Sequence, residues 1–202
     1  MEFVPIDASH FPRMAKIHAE SMSGSFLPSL GKRFLDELYP AMFGSGAARG
    51  AVALDDGKVV AFCYYTTDEP SFFQRTLRSS TWRLALWAAV GLVRRPYLIR
   101  SLMETVRYRG ITDISGVSAE FYAWAVDPAW RGRGVGWRVY DAAEEMMRSE
   151  GTCIYKHTVY EDNVHAIELY RQRGNEPVGR FELYGRRWVL YRVDLASRSK
   201  RS

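Results

Sequence analysis

The stretch DPAWRGRGVGWRVYDAAEEMM, from Asp127 to Met147, decides how the rest of the sequence is interpreted. It places Gly132, Gly134 and Gly136 within five residues and then continues without glycine, in the pattern of an amphipathic helix. A β-rich run, VSAEFYAWAVD, ends directly before the loop. A strand, a glycine loop and a helix start together can bind an anion. Glycine lets the backbone approach closely, and the first helical N–H groups have no partner within the helix.

The spacing of the glycines separates the candidate anions. The dinucleotide fingerprint is G-x-G-x-x-G, whereas this loop has G-x-G-x-G followed by the bulky Trp137. No Lys-Ser or Lys-Thr pair follows the last glycine, which excludes the phosphate-binding P-loop. Arg131 and Arg133 strengthen the positive field at the helix start. Taken alone, the loop is equally compatible with a glycine-rich helix start that binds nothing.

Charge and composition limit the other classes of function. The chain has 202 residues, a net charge of +5 and an ordinary globular composition. The basic balance fits a phosphorylated cofactor, a polyanion or an anionic membrane. Cys63 and Cys153 lie in apolar runs, no metal-binding spacing occurs, and the first residues do not resemble a signal peptide. A cytoplasmic protein is expected.

The order of predicted elements describes one domain. Strands and helices follow one another as β, α, α, β, β, insert, β, α, β, α, β, β, which predicts a mixed sheet flanked by helices over residues 1–196. The insert covers about 69–111. Residues 197–202, SRSKRS, contain no apolar side chain and are expected to be a basic disordered tail.

The insert has two interpretations. Its apolar part from Trp82 to Val93 contains Arg83 and is far shorter than the roughly 20 residues that a membrane span needs. The simpler interpretation is a helical pair packed over the domain, where it could act as a lid. The other is peripheral membrane contact, with Trp82, Trp87 and the pair Arg94-Arg95 at the interface.

Two motifs resemble those of one enzyme family. AVDPAWRGRGVGWRVYDAAEEMM resembles motif A of the GNAT superfamily of acetyl-CoA-dependent acyltransferases, with Arg131, Gly134 and Gly136 in the motif positions. YEDNVHAIELYRQRGNEPVG resembles motif B, through Asn163, Ala166, Leu169, Tyr170 and Gly174. The motifs stand in the family's order and at its usual separation. Asn175 departs from the pattern, because the family usually has an aromatic residue there.

The resemblance implies a fold, a donor and several roles. The fold would be α/β, a GNAT-like mixed, mostly antiparallel sheet in a single domain with helices on its faces. Acetyl-CoA would be the acyl donor, and its pyrophosphate would bind to the backbone of Arg131, Gly132, Arg133, Gly134, Val135, Gly136 and Trp137. The pantetheine arm would pair with the strand at Trp124, Ala125 and Val126, as an added strand uses an open edge. Asn163 would contact that arm, and Tyr170 would protonate the leaving thiolate, although a tyrosine there can also be a helix-packing residue.

The general base has three candidates. Glu120 lies on the strand before the loop, and the two-residue period predicts that it shares one face with Tyr122, Trp124 and Val126. Some family members have a catalytic glutamate at this distance before the motif arginine. His157 on the next strand is the second candidate, because a histidine side chain ordinarily has a pKa near neutral, and a chain of water molecules is the third.

The acceptor is less well specified than the donor. The first helices, their connecting loop, the insert and the last hairpin would line its site, with Glu20, Phe26, Asp36, Tyr39, Trp82, Trp87 and Tyr184. These residues suit a small amine. The segment SGSFLPSLGKRFL resembles acetyltransferases that are found among the enzymes of surface-polysaccharide synthesis, which favours an amino sugar as the acceptor. A protein N-terminal or lysyl acetyltransferase and a non-catalytic acyl-CoA-binding module remain as alternatives. No nucleic-acid partner is expected. Dimers are common in the family, so a homodimer is a further expectation.

Overall fold

The computed structural model describes residues 1–22 and 24–198, in which the chain forms one seven-stranded sheet in the order β1-β2-β3-β4-β5-β7-β6. All neighbouring strands are antiparallel except β4 and β5. This confirms the expected mixed, mostly antiparallel sheet. The strands are β1 (Glu2–Pro5), β2 (Arg49–Asp55), β3 (Lys58–Thr66), β4 (Ala119–Val126), β5 (Ile154–Tyr160), β6 (Glu176–Leu183) and β7 (Arg186–Asp194).

Helices cover both faces of this sheet. They are α1 (Phe11–Ser21), α2 (Phe26–Ser29), α3 (Lys32–Gly44), α4 (Glu69–Ser79), α5 (Trp82–Arg94), α6 (Leu98–Thr112), α7 (Val135–Ser149), α8 (Val164–Gln172) and α9 (Leu195–Arg198). Helices α1 and α3 bury apolar side chains against one face, and α7 and α8 do so against the other. Two apolar clusters, one on each face, therefore hold the sheet between helical layers.

The insert consists of three helices, where the sequence predicted a pair. The predicted pair corresponds to α5 and α6, and the prediction missed α4, which is divided from α5 at Ser80 and Thr81, where the backbone is extended. Pro96 follows α5 and prevents it from continuing into α6. Helices α4 and α5 pack on α3, whereas α6 lies against α2 and β6. The insert thus spans the side of the sheet that carries α1 and α3.

Strand β4 contains a β-bulge, which changes the faces of the sheet to which its side chains point. Tyr64 pairs with Ala123 and Tyr65 pairs with Phe121, so Tyr122 has no partner on β3. The extra residue shifts the alternation of side chains by one. As a result, Tyr122 packs on the side of α1 and α3, while Trp124 and Val126 pack on the side of α7. The prediction that Glu120, Tyr122, Trp124 and Val126 share one face is wrong.

The described part of the chain ends in the short helix α9. Helix α9 includes the first two residues of the predicted tail, and residues 199–202 lie outside the described part of the chain. Among the described residues, no helix is both long and apolar enough to span a membrane.

Candidate active site

The loop between β4 and α7 leaves a helix start open. Gly132 and Gly134 have φ angles of 75° and 71°, in the region that glycine adopts without strain. A Cβ at either position would meet no heavy atom within 4 Å, so the space beside both is open. Gly134 is the N-cap residue of α7, and no side chain caps this helix. Its first N–H groups are therefore available to an anion.

Gly136 serves packing rather than backbone conformation. A Cβ at this position would lie 2.9 Å from Trp124 Cζ2 and 3.0 Å from Val126 Cγ2. The first turn of α7 thus rests directly on β4 because this residue has no side chain. The close approach holds the open helix start next to the end of β4.

Replacing Gly136 with valine is expected to push α7 away from Trp124 and Val126. Overpacking of this kind lowers the free energy of unfolding by roughly 1–3 kcal/mol, and the melting temperature should fall accordingly. Gly179→Val is the matched control, because a Cβ there lies 3.9 Å from its nearest neighbour, Leu190. Equal melting temperatures for the two variants would contradict this account of the α7 contact.

Strands β4 and β5 are paired only at their beginnings. The parallel ladder joins Ala119, Glu120 and Phe121 to Tyr155, Lys156 and His157. Beyond Phe121 the two strands separate, although both continue, and the bulge at Tyr122 accompanies this change. The edge of β4 from Trp124 to Val126 is thus unpaired on the β5 side, and an extended amide chain can bind to such an edge.

The unpaired edge of β4 has one unsatisfied hydrogen-bond donor and one acceptor that is already engaged. The indole Nε1 of Trp124 is buried and makes no hydrogen bond with any described residue, which is uncommon for a buried donor. The Val126 carbonyl accepts a hydrogen bond of 3.0 Å from the Ser21 hydroxyl, so this acceptor is already engaged. The open glycine backbone, the unpaired edge and the unsatisfied indole together fit a long ligand with a phosphorylated end.

Tyr170 lies near the point where β4 and β5 separate. Its ring centroid is 4.2 Å from that of His157 on β5 and 6.4 Å from that of Trp124 on β4. Burial raises the pKa of its phenol far above the ordinary value, so Tyr170 is neutral and can donate a proton. Within the described residues its hydroxyl has no hydrogen-bond partner, whereas the neighbouring Tyr140 hydroxyl lies 2.6 Å from that of Tyr155.

Asn163 has a structural task at the start of α8. Its side-chain Oδ1 accepts a hydrogen bond of 3.2 Å from the Ala166 N–H and thereby caps the helix. The side-chain Nδ2 is not part of this bond. Contact between Asn163 and a pantetheine arm stays a prediction.

Glu120 lies on the opposite face of the sheet from Trp124 and Tyr170. Its side chain is fully buried, and its Oε1 accepts a hydrogen bond from the Tyr108 hydroxyl of α6. Its Oε2 lies 3.6 Å from Lys156 Nζ and makes no hydrogen bond among the described residues. Burial raises the pKa of this carboxyl to about 7, against the lowering effects of Lys156 and Tyr108. Glu120 can therefore exchange a proton near neutral pH.

The sequence did not identify the residues that surround Glu120. Lys156 is fully buried, donates to the Thr112 carbonyl at 2.9 Å and lies 3.9 Å from Glu69 Oε2. The Tyr108 hydroxyl is also 3.1 Å from Thr158 Oγ1. The one available signal was a lysine in the middle of the β-rich run CIYKHTVY, since a buried lysine needs an anionic partner.

Comparison with known proteins identifies the family. The model of the Acetyltransferase (GNAT) family matches residues 12–174. The chain belongs to the GNAT acetyltransferase family. It is an acyltransferase that uses acetyl-CoA as the acyl donor, and the loop at Gly134 and the unpaired edge of β4 fit that donor. No curated protein matches the chain by sequence.

Solved structures show the same GNAT fold at low identity. Ribosomal-protein-alanine N-acetyltransferase of Brucella melitensis has 14% identity and a TM-score of 0.64, covering 96% of this chain and 100% of its own. YncA of Salmonella typhimurium, solved with its cofactor acetyl-CoA, has 12% identity and a TM-score of 0.60, covering 96% and 93%. The spermidine/spermine N-acetyltransferase SpeG of Vibrio cholerae has 14% identity and a TM-score of 0.61, covering 99% and 96%. The names of the Brucella and Vibrio proteins give different acceptors, so the shared fold does not identify the acceptor of this chain.

His157 lies on the same face of the sheet as Tyr170 in this GNAT domain. Its ring stacks on Tyr191 at 5.0 Å, and its Nε2 is 3.0 Å from the Asn175 side-chain nitrogen. Asn175, which departs from the family pattern, is thus buried next to this histidine. His157 is on the Tyr170 side of the sheet, away from Glu120, which disfavours it as the base that receives the acceptor's proton.

The residues expected to line the GNAT acceptor site divide into two groups. Phe26 and Tyr184 stack on each other at 5.8 Å, and the Tyr184 hydroxyl is 2.8 Å from that of Thr105 on α6. The others do not join them. Tyr39 is a core residue whose hydroxyl lies within hydrogen-bond distance of His18. The carboxylates of Glu20 and Asp36 each pair with a lysine on the same helix. Trp87 lies beneath Arg33, and Trp82 is exposed.

Proposed function

We propose that this enzyme transfers the acetyl group of acetyl-CoA to a primary amine of a small molecule, of which an amino sugar is one example. The observation that carries this proposal is the enclosure of Glu120, a fully buried carboxyl with a pKa of about 7, beneath Tyr108 of the insert. A base at the bottom of a covered site suits a small acceptor. A protein N-terminus or lysine would instead need an open groove.

The insert supplies the cover over this acceptor region. Besides the contact of Tyr108 with Glu120, Glu104 of α6 accepts a hydrogen bond from the Tyr184 N–H, and Thr105 contacts the Tyr184 hydroxyl. Three residues along one helix thus connect α6 to β4 and to the hairpin of β6 and β7. Tyr108 thus covers Glu120 on the side of Oε1, and α6 is placed to act as a lid.

Two polar atoms in this region suit an ammonium group. Glu120 Oε2 and the Tyr122 hydroxyl are both buried, and neither makes a hydrogen bond with a described residue. The bulge places Tyr122 on the same side as Glu120. A primary ammonium has three donors, so it suits a region that offers oxygen acceptors without hydrogen-bond donors.

The proposed reaction is a direct attack. Glu120 accepts a proton from the bound ammonium, and the neutral amine forms the new C–N bond to the acetyl carbonyl carbon. A main-chain N–H of β4 polarises the carbonyl oxygen. The C–S bond breaks, and Tyr170, on the other face of the sheet, donates a proton to the leaving thiolate. The second proton, which the nitrogen loses as it becomes an amide, restores the Tyr170 phenol through solvent, so one proton, first accepted by Glu120, is released overall. Base and acid therefore act from opposite sides of the gap between β4 and β5.

The acceptor class is tested by measuring thiol release from acetyl-CoA with three sets of amines. We expect turnover with amino sugars or other small primary amines, and none with peptides that offer a free N-terminus or lysine. Turnover confined to the peptides would establish the protein-acetyltransferase alternative. Binding of acetyl-CoA without turnover of any amine would favour the non-catalytic acyl-CoA-binding module. The homodimer stays a prediction.

Tyr170→Phe is expected to lower kcat by roughly 100-fold while leaving acetyl-CoA binding intact, because only the proton donor is lost. The measurement is thiol release with a validated amine, together with the melting-temperature shift caused by acetyl-CoA. Tyr140→Phe is the matched control, since its hydroxyl is bonded to Tyr155 within the apolar cluster. Unchanged turnover in Tyr170→Phe would show that the general-acid role is wrong.

A further inference from the structure

The insert carries most of the exposed apolar side chains of this protein. Ten of the thirteen large hydrophobic residues that are exposed in the described chain lie between residues 69 and 111. Concentrations of this kind mark interaction sites, whereas single exposed apolar residues do not. The apolar surface is therefore a property of this segment.

Helix α5 shows how the surface is built. Its inner side buries Leu84 and places Gly91 against the backbone of Leu30, where a Cβ would be 2.7 Å from the carbonyl oxygen. The opposite side has Trp82, Leu86 and Val93, which are 74%, 42% and 81% exposed. The spacing of four and seven residues aligns these three along one stripe. A surface helix normally has polar residues there.

Helix α6 repeats this arrangement. Leu98, Thr105 and Tyr108 face the domain, through burial or through the hydrogen bonds to Tyr184 and Glu120. Ile99 and Met103, one turn apart, are 51% and 60% exposed. We define the insert surface as Trp82, Leu86 and Val93 of α5 with Ile99 and Met103 of α6.

The charge of the insert is strongly positive. Residues 69–111 contain eight arginines and two glutamates, so their net charge of +6 exceeds the +5 of the whole chain. Glu69 is buried and Glu104 is engaged by Arg100 and the Tyr184 N–H, so neither presents a free negative charge. Arg94 and Arg95 stand between the two apolar stripes in the sequence. Arg83 pairs with Glu37 of α3, and the remaining positive charge favours a partner that is anionic as well as apolar.

We propose that the insert surface docks on the surface of an anionic lipid bilayer. Aliphatic side chains with a tryptophan enter the boundary between headgroups and acyl chains, and the arginines bind the phosphates. A second copy of the chain would oppose two net positive surfaces in a symmetric dimer. A nucleic acid would leave the aliphatic stripes without an apolar partner. No described helix can span a membrane, so the contact is peripheral.

Docking would also place the lid at the membrane. Tyr108 and the exposed Met103 belong to the same helix, one on the side of Glu120 and the other on the insert surface. The membrane contact is independent of the acceptor's identity, and its test does not require a validated amine.

The test is sedimentation with phosphatidylcholine vesicles prepared with and without phosphatidylglycerol. We expect the protein to bind the anionic vesicles only, and to be released by salt. A variant with Trp82→Ser, Leu86→Ser and Val93→Ser should lose binding. Arg94→Gln should weaken binding about fivefold, as expected for one arginine near an anionic surface. Val178→Ser is the matched control, because Val178 is 47% exposed on β6, outside the insert.

Two further measurements accompany the vesicle experiment, the melting-temperature shift with acetyl-CoA and sedimentation velocity. The shift of melting temperature with acetyl-CoA reports that each variant is folded, since the donor loop lies outside the insert. Equal binding to both vesicle types, no binding, or wild-type binding by both the serine and Arg94→Gln variants would overturn the proposal. A dimer in sedimentation velocity that the serine substitutions dissociate, without vesicle binding by the wild type, would assign the surface to a second copy.

Discussion

Replacing Gly134 with aspartate is expected to abolish the rise in melting temperature that acetyl-CoA produces. The residue is the N-cap of α7, and the space beside it is open. A carboxylate there would face the pyrophosphate. Two unit charges at roughly 5 Å, with an effective dielectric constant of about 20, repel each other by about 3 kcal/mol, which weakens binding by on the order of 100-fold.

The design separates this repulsion from backbone strain. Gly134 has a φ of 71°, so any side chain costs roughly 1–2 kcal/mol in the folded state. Gly116→Asp is the matched control, because Gly116 has a φ of 77°, is exposed and also has open space beside it. Both variants should lose similar stability without ligand, and only Gly134→Asp should lose the shift with acetyl-CoA. A normal shift in Gly134→Asp would show that the donor loop is assigned wrongly.

The donor side could be predicted from sequence because it depends on local features. Glycine positions, the helix behind them and the Asn163 to Gly174 segment each follow from short-range patterns. The order of the predicted strands and helices along the chain also predicted a mixed sheet flanked by helices. The structure adds that Gly136 acts by close packing, whereas Gly132 and Gly134 act through positive φ.

The acceptor side could not be predicted in the same way. The bulge at Tyr122 is a property of the pairing between β3 and β4, and no residue type within β4 predicts it. Glu69, Glu120 and Lys156 are distant in sequence and meet only because β4, β5 and α4 converge. Helix α5 is apolar on both sides, so its periodicity could not indicate which side faces the core.

Glu120→Gln is expected to lower kcat/KM by about 100- to 10,000-fold at pH 8, the usual range for loss of a general base. Glutamine keeps the shape of the side chain but cannot accept the ammonium proton. Acetyl-CoA should still raise the melting temperature, because Glu120 lies on the face opposite to Trp124 and Tyr170. Glu144→Gln is the matched control, since Glu144 is another buried glutamate, which lies on α7 and accepts a hydrogen bond from the Tyr155 hydroxyl.

The pH profile gives an independent check of the same role. Glu120 must be ionised to act as a base, so kcat/KM of the wild type should rise with pH through the pKa of about 7 and level off above it. The rising limb should be absent in Glu120→Gln. An unchanged limb in that variant would assign the titration to another group or to water.

Tyr108→Phe tests whether Tyr108 of α6 tunes the pKa of Glu120. The Tyr108 hydroxyl donates to Glu120 and thereby lowers the pKa of the carboxyl, so its removal should raise that pKa and move the limb to higher pH. Activity well above the limb should persist, because phenylalanine leaves Glu120 in place. A purely structural role for Tyr108 would change stability without moving the limb. The direction of the shift thus distinguishes a tyrosine that tunes the base from one that only packs over it.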